Sequence, residues 1–143
     1  MPLFAIIAAF ALTLSLITKF FVDTYLHGQI NIIGSFVALH LAHNSGVAFG
    51  MKFPPVFQTV LIFCALGCVC VLAWKAKRTV TSGIGYGLIV GGALGNVLDR
   101  LRDGLVTDFI RVGTFPIFNI ADACITVGVV FLLAEILGIV RSH

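Results

Sequence analysis

Long apolar stretches separated by short polar ones set the outline of this chain. Mostly apolar windows fall at about 3–22, 56–74, 82–99 and 120–140, each close to the roughly 20 residues a helix needs to cross the hydrocarbon of a bilayer. The pattern predicts four spanning helices in a single unit, 1–143, with no stretch left over for a separate soluble domain. The first window, LFAIIAAFALTLSLITKFFV, lacks a basic start and exceeds the apolar core of a signal peptide, so it predicts a permanent helix. After it, INIIGSFVALHLAH carries short runs of Ile, Val and Phe broken by Gly34. That is strand chemistry, and it predicts a small sheet at the membrane surface, where strand edges can be covered or wetted. Pro116, in FPIFN, should stop any helix before the fourth window. The expected fold class is an all-α membrane protein, a four-transmembrane-helix bundle with a small extracytoplasmic β-sheet.

Composition strengthens the membrane assignment. Of the 143 residues 59% are hydrophobic and 10% charged, against about 25% charged in a soluble domain, and the mean hydropathy is +1.11. The net charge of +3 is scattered except for Lys75, Lys77 and Arg78, without the long basic runs or aromatic interleaving of nucleic-acid binders. No nucleic acid is expected as a partner. That cluster lies in the link WKAKRTVTSG, which the positive-inside rule assigns to the cytoplasm. Both termini are then cytoplasmic, in line with Arg141, and 23–55 and 99–119 face outward. Lys19, Lys52, Arg100, Arg102 and Arg111 run against the rule, but the last three lie among acids that can pair with them. Cys64, Cys68 and Cys70 share one apolar run with no His or acid, so they read as packing residues, with neither disulfide nor metal expected.

Charge then changes the picture in one place. Of six acids, Asp99, Asp103, Asp108 and Asp122 lie between the end of the third window and the start of the fourth. A central Asp costs about 2.5–3.5 kcal/mol on insertion scales, and an ionisable residue within a span marks a functional site by default. Asn96 and Asp99 share the Asn-x-x-Asp spacing of Asn119 and Asp122, which puts each pair on one helix face. Asp108, in the connecting loop, can return to meet Asp122. Two close carboxylates share one proton: the ionised member takes a proton from an attacking water, and the protonated one donates to the peptide carbonyl oxygen. That aspartic-protease arrangement needs no metal or covalent intermediate. A structural alternative stands beside it, in which Asp99 pairs with Arg100 or Arg102 and Asp122 caps its helix.

Other candidates are weaker. His40 and His43, in LHLAH, point to opposite faces of a strand, so no metal site is expected. Cys124 has no adjacent base to activate it, and Glu135 has no assigned role. A proton-linked transporter would spread ionisable groups through the bilayer depth, whereas these cluster at one side. A noncatalytic scaffold is a further alternative.

Read together and in order, NSGVAF (44–49), GGALGNVLDR (91–100), VTDF (106–109) and FNIAD (118–122) make the chain resemble the prolipoprotein signal peptidases, also called signal peptidase II. The resemblance covers nearly the whole chain, most strongly from about residue 39. It implies an aspartic endopeptidase of the bacterial plasma membrane that cuts lipid-modified prolipoproteins before the diacylglyceryl-cysteine, without cofactor or metal. By motif position the catalytic pair is Asp108 and Asp122. Supporting positions are Asn44, Gly46, Asn96, Asp99, Arg100, Asn119 and Ala121. A diacylated cysteine keeps its tails in lipid and brings the scissile bond to the outer interface, where Phe109, Phe115, Phe118 and Ile120 are candidate walls. Gly46 suits a tight turn, and Gly91, Gly92 and Gly95 suit close helix approach. The chain departs from the family pattern in the first helix, where an Asp stands four residues before the Lys. Here Lys19 is preceded by Ser15, and Asp23, one turn after Lys19, is expected to take over the pairing. The departure keeps open a noncatalytic relative of the peptidase.

Overall fold

The computed structural model describes residues 2–44 and 55–140. Four helices, α1 (Pro2–Tyr25), α2 (Pro55–Lys75), α3 (Val80–Asp103) and α4 (Ile120–Ile136), are joined with three strands, β1 (Ile30–Ile33), β2 (Val37–Asn44) and β3 (Val106–Val112). The strands form one antiparallel sheet in the order β1-β2-β3. The sequence places a sheet in the first outer segment alone. The third strand comes instead from the second outer segment, so Asp108 lies on a strand rather than in a loop.

Helix ends follow local chemistry. Thr79 caps α3 and Asn119 caps α4, each in a reciprocal capping box, with Ser82 and Asp122 as the respective partners. Gly104, with φ +80°, closes α3 as its N–H bonds Arg100 O at 2.9 Å. The fourth apolar window runs to 140, but α4 stops at Ile136. Gly138 turns left-handed at φ +69°, with its N–H on Glu135 O at 3.1 Å and the Ile139 N–H on Ala134 O at 2.9 Å. This is a Schellman ending, which hydropathy cannot detect.

α3 is the centre of the bundle, with α1 along one side, α4 along the other, and α2 also against it. Glycines make these approaches possible. A Cβ at Gly87, Gly91 or Gly95 would meet Ile7, Ala8 or Ser15 of α1, while one at Gly85 or Gly92 would meet Leu132 or the Ala121 carbonyl of α4. Small residues at this spacing let backbones pack closely where lipid offers no hydrophobic drive. The polarity of the bundle is inverted. Ser15, Lys19, Asp99 and Asn119 are buried, whereas Phe10, Phe20, Trp74, Val130 and Ile136 are exposed. Among the described residues, α1 and α3 are long and apolar enough to cross a membrane. The 17 residues of α4 extend about 26 Å at 1.5 Å each.

Candidate active site

Asp108 and Asp122 come together because the chain doubles back after β3. Gly113 turns at φ +53°, and the returning segment bridges β3 at Ile110–Phe118. The N–H groups of Phe109 and Ile110 donate to Phe118 O at 3.0 and 2.8 Å, and the Phe118 N–H donates to Ile110 O at 3.1 Å. Pinning Phe118 there sets Asn119 beside Asp108. The next residues open α4, with Asp122 in its first turn.

Asn119 joins the two acids. Its Nδ2 donates to Asp108 Oδ1 at 2.7 Å and to Asn96 Oδ1 at 3.1 Å, and its backbone N–H donates to Asp122 Oδ2 at 3.2 Å. The other carboxylate oxygens are met by Asn44 Nδ2, 3.1 Å from Asp108 Oδ2, and Asn96 Nδ2, 2.8 Å from Asp122 Oδ1. Each oxygen thus has one side-chain or backbone N–H donor in this network, and a carboxylate has about four acceptor sites. The two carboxylates are close enough for the Asp122 charge to act on Asp108. Asp122 is also the capping-box partner of Asn119, so the structural and chemical readings of this residue coexist.

Behind the acids lies a buried ion pair. Lys19 Nζ is 2.9 Å from Asp99 Oδ2, with 2% and 4% of the two side chains exposed, and it also donates to Asn96 Oδ1 at 2.8 Å. An ammonium only donates, so Lys19 fixes the Asn96 amide with its oxygen inward and its Nδ2 toward Asp122. Asp99 Oδ2 also accepts the Thr107 N–H at 3.1 Å, tying α1 and α3 to the residue before Asp108. The half-buried Arg100 guanidinium interacts electrostatically with Asp122, Asp108 and Asp99, and its Nη1 donates to Asn96 O at 3.3 Å.

The structure overturns the pairing expected for Lys19 and the one that the structural alternative gave Asp99. Asp23 does not take Lys19; it accepts Thr107 Oγ1 at 3.2 and 3.3 Å and Arg102 Nη2 at 3.3 Å, with His43 Nε2 at 3.8 Å. Asp99 pairs with Lys19, not with Arg100 or Arg102. The i,i+4 rule counts partners within one helix, whereas the glycine-permitted approach of α1 to α3 offers Lys19 a fully buried carboxylate. Ser15 is wholly buried, and its Oγ lies 2.6 Å from where a Gly95 Cβ would stand. It acts as a small wedge, and its Oγ finds no hydrogen-bond partner among the described residues. Ser15→Ala should therefore change stability by less than about 1 kcal/mol and leave activity intact; a larger loss in thermal unfolding would mean that the hydroxyl is engaged.

Ala121 is wholly buried, with its carbonyl against Gly92, so its small side chain lets α4 begin close to α3. Gly46 lies outside the described residues. Phe109 is 5% exposed, hence core rather than wall, while Phe115 is 61% exposed and meets Phe118 edge to face. Thr107 is a site residue that sequence reasoning missed. Alternation along the strand was its only signal, since Thr107 faces Asp23 while Asp108 faces the other acid.

Burial pushes the Asp108 carboxyl from its ordinary 3.8 up to about 6, helped by the Asp122 charge and opposed by Asn44, Asn119 and Lys19. Below about pH 4 the group is protonated folded or unfolded, and the shift has no effect on stability. As pH rises from 4 to 6 the unfolded chain releases this proton first, so stability falls; above 6 the full cost is about 3 kcal/mol. Asp108→Asn removes it, less about 1 kcal/mol because the amide offers one acceptor to two facing donors. We expect this variant to be about 2 kcal/mol more stable than wild type at pH 8, with the advantage gone by pH 4. Thermal unfolding at both values checks it, and equal destabilisation at both would contradict the burial argument.

A family model described as signal peptidase (SPase) II matches residues 7–138. A lipoprotein signal peptidase of Mycobacterium leprae (strain Br4923) is 39% identical over 138 residues, spanning 89% of this chain and 67% of that protein. Another, from Symbiobacterium thermophilum, is 36% identical over 145 residues, 96% of this chain and 95% of the relative. One from Dehalococcoides mccartyi (strain BAV1) is 43% identical over 117 residues, 77% and 71% of the two chains. Among solved structures, a bacterial membrane enzyme determined in meso at 2.3 Å is similar at a TM-score of 0.87 and 29% identity, covering 96% of this chain and 89% of the other.

Proposed function

The chain belongs to the signal peptidase II family of membrane peptidases, and from that premise we propose that it removes the signal peptide of prolipoproteins as an aspartic endopeptidase, with Asp108 and Asp122 as its catalytic pair. The observation that carries this reading is the bridging of the two acids by Asn119, whose side-chain amide holds one and whose backbone N–H holds the other. Asp108, with its carboxyl raised to about 6, holds the shared proton and donates it to the carbonyl oxygen of the scissile bond. Asp122 takes a proton from the attacking water. Asn96 and Asn44 keep the carboxylates aimed, Lys19 and Asp99 fix Asn96, and Arg100 balances charge as the tetrahedral oxyanion forms.

All four helices cross the bilayer of the bacterial plasma membrane. Both termini and the Lys75–Arg78 link lie on the cytoplasmic side and the acids at the extracytoplasmic end, a placement supported by the positive-inside rule. The sheet sits over that end. The substrate is a prolipoprotein carrying a diacylglyceryl-cysteine, whose tails stay in lipid while the bond before it meets the acids. Neither metal nor cofactor takes part.

The test is cleavage of a purified diacylglyceryl-modified prolipoprotein by this protein in detergent or lipid, with and without a metal chelator. A product beginning at the lipid-bearing cysteine, formed equally in chelator, is expected. Chelator inhibition would replace the aspartic mechanism with a metal-dependent one, and a folded protein that cuts nothing would make the chain a noncatalytic relative.

A further inference from the structure

At the end of the bundle away from the acids, an open cavity of about 440 Å³ lies between the first turn of α1, the last turns of α2 and the start of α3. This is within the roughly 300–1,000 Å³ typical of ligand sites. Its walls are mostly apolar: Leu3 and Phe4 from α1, Ala73 and Trp74 from α2, Gly83 and Tyr86 from α3. A Cβ at Gly83 would already touch Leu3 at 3.4 Å, so the missing side chain helps keep the floor open. On the rim stand Lys77 and Arg78, both exposed. No carboxylate lies within ion-pair distance of either among the described residues. α3 begins at Val80 under the Thr79 cap, so the positive end of its dipole faces the same rim. Trp74, near the end of α2, is 79% exposed, and such rings favour the headgroup layer at span ends. Among the described residues Glu135 is the one acid at this end. Its Oε1 accepts Thr79 Oγ1 at 2.6 Å in the seam between α3 and α4, and it lines a neighbouring smaller cavity rather than this one.

We propose that this cavity binds one anionic phospholipid of the adjoining leaflet, with an acyl chain between α1, α2 and α3 and the headgroup phosphate on Lys77 and Arg78. Cationic pockets between spanning helices select anionic headgroups, each Lys or Arg adding to the attraction. The apolar walls explain why a lipid rather than a free anion is held. A zwitterionic lipid fills the groove equally well but leaves two cations on the rim without a net counter-charge. The site is remote from the catalytic pair and stands whether or not the cleavage reading does.

Native mass spectrometry of the full chain in detergent, with phosphatidylglycerol and phosphatidylcholine of identical acyl chains in competition, tests it. Wild type is expected to retain the anionic lipid about tenfold over the zwitterionic one or more. Lys77→Gln/Arg78→Gln should bring the ratio near one, while Arg111→Gln, at the far end, should leave it unchanged. Ala73→Phe fills the groove without altering charge and should reduce retention of both lipids. Equal retention in wild type, a preference that survives Lys77→Gln/Arg78→Gln, or displacement of the lipid by millimolar inorganic phosphate would overturn the proposal.

Discussion

Asp108→Asn and Asp122→Asn should each lower prolipoprotein cleavage by about 10³-fold or more, since positioned acid–base groups typically contribute 10²–10⁴. The double variant should be little worse than either single one, because in the proposed mechanism the two carboxylates act as a unit. Asn preserves shape, and Asp108→Asn is expected to be the more stable protein near neutral pH, so its inactivity cannot be attributed to unfolding. A rate within tenfold of wild type for Asp122→Asn would remove that residue from the chemistry and leave it as the capping-box partner of Asn119.

The second large effect concerns the ion pair behind the site. Lys19→Met or Asp99→Asn alone leaves a buried partner unpaired, and breaking such a pair costs about 3–5 kcal/mol. Lys19→Met/Asp99→Leu removes both charges and should recover much of that stability but only part of the activity, because the Asn96 amide then keeps only the Asn119 contact at 3.1 Å to aim it at Asp122. Asp23→Asn, at a carboxylate 24% exposed, should cost less than about 1 kcal/mol. Denaturation of the five proteins in one detergent decides the pairing. If the Lys19 and Asp99 effects simply add, or if Asp23→Asn matches Asp99→Asn, the assignment of Asp99 as the Lys19 partner fails.

Glu135 shows how a residue without a role in the sequence acquires one in space. It sits near the end of α4, 56 positions from Thr79, and its carboxylate meets the hydroxyl that caps α3. An acid near a helix N-terminus is favourable, but only the packing of α4 along α3 brings this acid to this cap.

The sequence by itself determined the four apolar helices, the strand character of the first outer segment, the concentration of acids at one side and, through four ordered motifs, the family. These are local or compositional properties: hydropathy over a window, side-chain type, and order along the chain. The tertiary structure decided the partners. Asp108 lies on a strand because its backbone pairs with β2 and with Phe118, pairings no local pattern reveals. Lys19 chose Asp99 over Asp23 because the glycines of α3 bring α1 within reach of a buried carboxylate. The fourth helix ended early at a left-handed glycine that hydropathy counts as one more neutral residue. Partners across a fold depend on which backbones approach each other, and that distance is a property of the packed bundle rather than of any segment within it.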